Sequence, residues 1–249
     1  MAIIEEETHL KDILKQIVLN PESITPAYVA SGMRSIIRGE ASDAQIGGFL
    51  IALKLRMIDS DPEMVVAMAQ ETLRGALVPD IGPGSKLRED TGMVVEIVGT
   101  GGDGWNTFNI STTSSLIAAA AGLTVAKHGS RSFSSNSGSA DILESMGCRL
   151  SAVLPELGFP TPFKILGPLT NPVVPDRAVI GVNTKALGPV MAEALRIMGR
   201  RNYAVVCGDE DLDEISIAGD THVWHIQDSG KITNYKINPR DFGVPTHPL

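Results

Sequence analysis

Hydrophobic and polar positions divide the chain into two parts with different periods. From residue 8 to about 78, apolar residues recur at helical spacing. Leu10, Ile13, Leu14, Ile17 and Val18 fall on one face of a helix from Thr8 to Val18. Thr25-Pro26 reads as the start of a second helix that ends near Gly39. Ser42-Asp43-Ala44-Gln45 is a capping box that opens a strongly apolar helix through Ile58. Ser60-Asp61-Pro62-Glu63 starts a fourth helix, to about Leu77. The stretch from Gln45 to Met57 carries more apolar surface than one helix face uses. It reads equally as a fully buried core helix and as a subunit interface.

A stretch rich in Pro, Gly and charge, residues 79–92, reads as a linker between domains. Beyond it the period changes. Met93–Val98 reads as a buried strand, Ser111–Ala121 as a helix and Leu123–Ala126 as a second strand, together one βαβ unit. A helix over Ala140–Met146, a rigid turn over Ile165–Pro172, a helix over Leu187–Met198 and a strand over Tyr203–Cys207 follow. An acidic loop, Gly208–Glu214, leads to a short apolar strand, Ile215–Ile217. His222–Ile237 reads as a hairpin turning at Asp228-Ser229-Gly230. The expected fold is α/β. A small helical domain (residues 1–78) precedes a larger α/β domain (residues 93–249) with a mainly parallel central sheet.

Composition narrows the partners. The 249 residues carry a formal net charge of −8, and aromatics make up 4%. Both count against a polyanionic partner and against stacking on nucleic-acid bases. Two cysteines, Cys148 and Cys207, lack metal-ligand spacing and read as reduced thiols of a cytoplasmic protein. The acidic N-terminus shows no secretory signal, and the longest small-apolar stretch is too short to span a membrane.

The chemistry gathers at Val98–Thr112, VGTGGDGWNTFNIST. Gly99, Gly101, Gly102 and Gly104 follow a strand and precede a hydroxyl-rich helix start. Glycines let a backbone approach a ligand closely, and the N–H groups of a helix N-terminus favour an anion, so the loop reads as a phosphate cradle. Gly99 to Gly104 also matches GxGxxG. However, five residues separate it from its helix, and the next strand ends in Lys127-His128 where a ribose-binding acid would stand. That counts against a dinucleotide. No GxxxxGK[ST] is present, so a P-loop is excluded.

Lys127 suits phosphate as a point charge. Asp103 reads as a turn residue or as facing a metal or hydroxyl. Asp209, Glu210 and Asp211 read as a solvated acidic loop, whereas Asp213 and Glu214 are hard oxygen ligands suited to Mg²⁺ shared with a diphosphate. His128, His222 and His225 read as structural, the last two without partners. No Ser/His/Asp or Cys/His arrangement is visible.

Taken together, GTGGD (99–103), NIST (109–112), KHGSR (127–131), SGSAD (137–141), LGPLTNP (166–172) and DEIS (213–216) resemble anthranilate phosphoribosyltransferase. GEASDAQIGGFLIALKLR (39–56) resembles that family's helical domain. The resemblance implies a nucleoside phosphorylase/phosphoribosyltransferase-like fold. It implies transfer of the phosphoribosyl group of phosphoribosyl diphosphate (PRPP) to anthranilate in tryptophan biosynthesis, with Mg²⁺ as cofactor and a homodimer formed through the helical domain.

By position, Gly99, Thr100, Gly101, Gly102, Asp103, Thr107, Asn109, Ser111, Thr112, Lys127 and Ser139 would bind PRPP. Gly99 and Ser130 would meet anthranilate, with Ser130 standing where the family commonly has Asn. Ser111, Asp213 and Glu214 would hold the metal. No general base stands out. The family continues after Leu154-Pro155-Glu156 with a His-Pro turn and an arginine for anthranilate, whereas this chain passes directly to Leu157 and ends at Leu249. The expected site therefore has a complete PRPP half and an incomplete anthranilate half. The alternatives are a non-catalytic relative that binds PRPP or another phosphorylated ligand, and a pyrimidine nucleoside phosphorylase.

Overall fold

The structure, a computed structural model, describes residues 9–76, 89, 92–105, 107–129, 138–147 and 163–248. It divides into two compact units, Met1–Ala76 and Leu77–Leu249.

The first unit is built from α1 (Leu10–Leu19), α2 (Pro26–Ile37), α3 (Asp43–Leu55) and α4 (Pro62–Arg74). The starts of α2, α3 and α4 are chemically marked. Thr25 caps α2, with Pro26 in its first turn. The Ser42–Gln45 capping box closes on both sides, and Asp61 accepts the N–H groups of Glu63 and Met64. Ile13, Ile17, Met33, Phe49, Leu50, Leu53 and Met68 form its core. Each such side chain contributes about 1.5–3 kcal/mol on burial. Gly32 lets Phe49 press against α2, since a Cβ there would stand 2.8 Å from the ring. Helix α3 ends at Leu55, three residues before the Ile58 expected from its pattern, and Met57 takes a left-handed φ of 57°. The helix is not fully buried either: Ile51 is 58% exposed and Leu55 77%.

The second unit carries β1 (Val94–Gly99), α5 (Ile110–Ala120), β2 (Thr124–Val125), α6 (Ser139–Ser145), α7 (Phe163–Leu166), β3 (Arg177–Gly181), α8 (Leu187–Ile197), β4 (Tyr203–Gly208), β5 (Thr221–Ile226) and β6 (Ile232–Ile237). The sheet order is β2-β1-β3-β4-β5-β6. The first four strands run parallel, and β5 and β6 add an antiparallel edge as the expected hairpin. The βαβ unit over β1, α5 and β2 forms as its pattern predicts.

Two features differ from the sequence reading. An unexpected strand, β3, pairs between β1 and β4 and brings Gly99 opposite Gly181. Ile215–Ile217 is not a strand: both isoleucines are about half exposed, and only Ser216 is buried between them. The Ser216 N–H is taken by Thr221 Oγ1 at 2.9 Å, which bends this segment into β5. No described helix is long and apolar enough to cross a membrane.

Candidate functional site

The site forms where the parallel strands end. Gly99 and Gly181 are neighbours at the ends of β1 and β3, and the acidic loop after β4 folds back across them. A Cβ on Gly181 would stand 1.6 Å from the Asp213 carbonyl oxygen, and one on Gly99 would stand 2.5 Å from Asp213 Oδ2. Only glycine permits this crossing. It brings the Asp213 carboxylate to the Gly101 N–H at 2.5 Å. Gly101 and Gly102 take left-handed φ values of 68° and 78°. Asn183, just beyond β3, holds that turn by donating to the Gly101 carbonyl at 3.1 Å and the Gly102 carbonyl at 3.4 Å. The Thr100 N–H donates to the Gly181 carbonyl at 3.0 Å.

Further along the loop, Asp103 accepts the Trp105 N–H at 3.1 Å, a local turn of the kind expected. The indole of Trp105 donates to the Glu210 carbonyl at 3.3 Å, tying the glycine loop to the acidic loop. Thr107 and Phe108 face solvent.

Helix α5 is inside-out. Its buried residues are Ser111, Thr112 and Ser115, while Leu116 and Ile117 are exposed. Asn109 caps the helix by accepting the Thr112 N–H at 3.2 Å. Hydroxyls thus face the interior, and the side-chain oxygens of Thr100 and Thr112 are buried with no hydrogen-bond partner among the described residues. Native folds seldom leave buried polar atoms unpaired, so these two mark a place built for an absent group.

Lys127 extends from the end of β2. Its Nζ donates to the Ile97 carbonyl at 2.7 Å and to Ser111 Oγ at 3.1 Å. Burial lowers its pKa to about 8, against the pull of Glu96 and Glu214. His128 is buried, which lowers its pKa, while the adjacent Gly167 backbone pulls the other way; this fits the structural role read for it. Ser139 opens α6 and packs on Gly129, where a Cβ would stand 2.7 Å from its own.

The charge balance at the strand ends is strained. Asp213 is 7% exposed, and its carboxyl is pushed up to about 6 by burial and then by the facing Asp103. Glu214 is pushed up to about 7 by burial and by Asp213, although Lys127 and the Ser111 N–H draw it down. These carboxylates are short of positive charge. Among the described residues no group of three His, Cys, Asp or Glu forms a metal cage. Mg²⁺ needs no such cage, because it binds through one or two carboxylates, water and substrate phosphate. The hard oxygens of Asp213 and Glu214, with raised proton affinities that a cation would relieve, fit it. Ser111 Oγ, by contrast, already accepts from the Lys127 ammonium.

The structure thus gathers Gly99, Thr100, Gly101, Gly102, Asp103, Asn109, Ser111, Thr112, Lys127, Asp213 and Glu214 around the ends of β1 and β3. Thr107 lies outward on the same loop, Ser139 adjoins the segment after β2, and Ser130 lies outside the described residues. Asp209, Glu210 and Asp211 are not simply solvated. Asp209 pairs with His222 at 2.7 Å and Lys236 at 3.2 Å, Glu210 with Ser216, and Asp211 with Lys185 at 3.3 Å. His222, expected to lack a partner, therefore has one, and it also stacks on Trp224. Sequence reasoning missed Asn183, which nothing marks before folding. It also missed Glu96, a carboxylate on the buried face of β1 at 1% exposure, whose place in the alternation was the available signal. The helical unit carries a polar cleft of about 360 Å³ lined by His9, Asp12, Ser35, Glu40 and Gln45, with none of these groups in it.

Comparison with known proteins agrees with this geometry. Residues 91–155 and 150–249 match a profile described as glycosyl transferase family, a/b domain. Residues 11–74 match the helical bundle domain of the same family. The two α/β segments overlap over residues 150–155. An anthranilate phosphoribosyltransferase of Chromohalobacter salexigens is 42% identical over 248 residues, covering 87% of this chain and 69% of its own. The Saccharomyces cerevisiae enzyme solved in complex with PRPP and Mg superposes with a TM-score of 0.78 at 27% identity, covering 96% of this chain and 75% of that one. The same yeast enzyme solved with 4-fluoroanthranilate gives 0.79 at 26% identity, over 98% and 76%.

Proposed function

The chain belongs to the anthranilate phosphoribosyltransferase family of glycosyl transferases, and from that membership we propose that it transfers the phosphoribosyl group of PRPP to the amine of anthranilate, releasing diphosphate in tryptophan biosynthesis. The observation that carries this reading is the strand-end cluster. A glycine turn, buried hydroxyls without partners, one lysine and a cation-short carboxylate pair converge where a diphosphate would need them.

The reaction asks little covalent chemistry of the protein. The bond from C1′ to diphosphate breaks as the anthranilate nitrogen bonds to C1′, and that nitrogen then gives up a proton to water. The sugar passes through an oxocarbenium-like state, so the main demand is charge stabilisation on the leaving group and alignment of the amine. The left-handed Gly101-Gly102 turn brings main chain against the ligand without side chains. The Lys127 ammonium takes up charge on the departing diphosphate, and the Thr100 and Thr112 hydroxyls gain their missing partners. Asp213 and Glu214 would hold Mg²⁺, which when bound supplies further neutralisation of the diphosphate. No general base is required, and none is assigned.

The test is loss of anthranilate fluorescence on adding PRPP and Mg²⁺. Turnover supports the transferase. Magnesium-dependent PRPP binding without turnover would instead assign a PRPP-binding relative, a reading that the direct Glu156–Leu157 junction favours.

Two finer points belong to the same reading. Val18, Leu19, Ile51, Leu55 and Met57 are exposed on the helical unit, and we assign that surface to a homodimer contact. An Ile51→Glu, Leu55→Glu double substitution should halve the sedimenting mass, and an unchanged mass would refute the assignment. The buried free thiol of Cys207 fits a reducing compartment, and we place the enzyme in the cytoplasm.

A further inference from the structure

Glu96 lies behind the site and takes no part in the scheme above. Its side chain shares the buried face of β1 with Val94 and Val98. Below it Val94, Ala126 and Val173 form a small apolar cluster. A carboxylate in that register has little reason to exist as packing, since a β-branched residue would fill the place without desolvation cost. Its contacts all lead to one place. The Asn171 side chain and the His128 backbone lie against the Glu96 carboxyl and draw its pKa down against the burial that raises it. Its Oε1 is buried without a hydrogen-bond partner among the described residues. Asn171, itself 5% exposed, donates through Nδ2 to the Ala126 carbonyl at 3.1 Å and accepts the Val173 N–H at 3.0 Å. The backbone on both sides of Lys127 is therefore braced, at Ala126 by the Asn171 hydrogen bond and at His128 by the Glu96 carboxyl that lies against it. Meanwhile the Lys127 ammonium reaches back to Ile97, the residue after Glu96.

We propose that Glu96 and Asn171 form a buried positioning pair that fixes the Lys127 ammonium against the diphosphate of the substrate. The pair touches no substrate and acts through Lys127 alone. The assignment rests on the phosphoribosyl reading above. It adds a physical reason for joining β1 to the LGPLTNP turn: the turn delivers Asn171 to the underside of the strand end that carries the lysine. Residues that lock the geometry of a charged side chain decide how well it meets its ligand.

The measurement is PRPP affinity by calorimetry with Mg²⁺, beside anthranilate affinity on the same samples. Glu96→Ala and Asn171→Ala should each weaken PRPP binding by about tenfold or more and leave anthranilate within about twofold. Glu96→Gln should come back to within about threefold of the unaltered protein, because the isosteric amide keeps the place of the carboxyl against Asn171 and His128. In a Lys127→Ala background, Glu96→Ala should change PRPP affinity by less than about twofold.

The assignment is overturned if either alanine variant binds PRPP as well as the unaltered protein. It is equally overturned if PRPP and anthranilate affinities fall together, or if the full loss persists without the lysine. Should Glu96→Ala fail to fold, Asn171→Ala alone and in the Lys127→Ala background decides the same question. If the unaltered protein binds no PRPP, the phosphoribosyl reading fails first and takes the pair with it. Normal PRPP binding with indifferent variants sinks the pair alone.

Discussion

Two buried glutamates in this chain are treated in opposite ways. In the helical unit, Glu71 is met by Arg34 at 2.8 Å and 3.2 Å and by Arg74 at 2.9 Å, and these guanidiniums hold its carboxyl below the usual range. In the α/β unit, Glu96 is buried without such a partner and pushed up to about 7, while Asp213 and Glu214 rise to about 6 and 7. The helical unit neutralises this charge internally. The α/β unit leaves the Asp213 and Glu214 charge unmet at the strand ends, where a cation carried by an anionic substrate could meet it. Unfavourable electrostatics held in place by a rigid sheet mark a binding site better than any single residue type does.

Several substitutions would break or sharpen that contrast. The largest effect belongs to Gly181→Ala. Its methyl group would collide with the Asp213 backbone, which has no flexible end to give way. Steady-state assays should show turnover falling by more than about a hundredfold as the acidic loop is displaced. Near-normal activity would mean the crossing is not needed.

Next in size, Glu71→Ala should cost about 3 kcal/mol in urea unfolding, because it removes the buried carboxylate that the Arg34 and Arg74 guanidiniums share. PRPP affinity should not move, and a shift in it would erase the division of labour between the units.

The third effect is in pH. A carboxyl held above its ordinary value stabilises the fold while protonated, and that contribution disappears as pH rises through the folded value. For Glu96 the window runs from 4.5 to about 7. Stability of the ligand-free protein should decline across roughly pH 5 to 7 by on the order of 2 kcal/mol, and Glu96→Gln should flatten that slope. Glu71 behaves conversely, and its contribution fades only as pH falls below the usual carboxylate range. A slope identical in the Glu96→Gln protein would count against the unmet burial described for that residue.

The smallest expected change is Asp213→Asn. Removing one crowded charge should leave thermal stability equal or higher, while raising the Mg²⁺ needed for half-maximal turnover by about tenfold. Unchanged magnesium dependence would remove Asp213 from the metal site.

Most of this was legible before folding, though unevenly. The capping box at Ser42 and the proline starts at Pro26 and Pro62 are local chemistry, so the four helices emerge from sequence within a few residues of their ends. The glycine loop, the hydroxyls and Lys127 are legible for the same reason, because close approach and anion binding demand particular residue types. Strand β3 is different. RAVIG is five residues long, follows Pro172 and Pro175, and becomes a strand only because β1 and β4 lie on either side of it. Ile215–Ile217 errs the other way. Its alternation is that of a strand, but the bonds from Ser216 to Thr221 and Glu210 fold it into a bend. The roles of Asn183 and Asn171 could not be read, since each acts on a backbone carbonyl more than forty residues away.

The link from Trp105 to the acidic loop has an optical consequence. The chain has two tryptophans. Trp224 is 6% exposed within β5, while Trp105 is 44% exposed and bonded across to Glu210. A collisional quencher in solution reaches the second indole far more readily than the first. The quenchable part of the intrinsic emission therefore reports on the glycine loop, and closure of that loop on a ligand can be followed in the unlabelled protein.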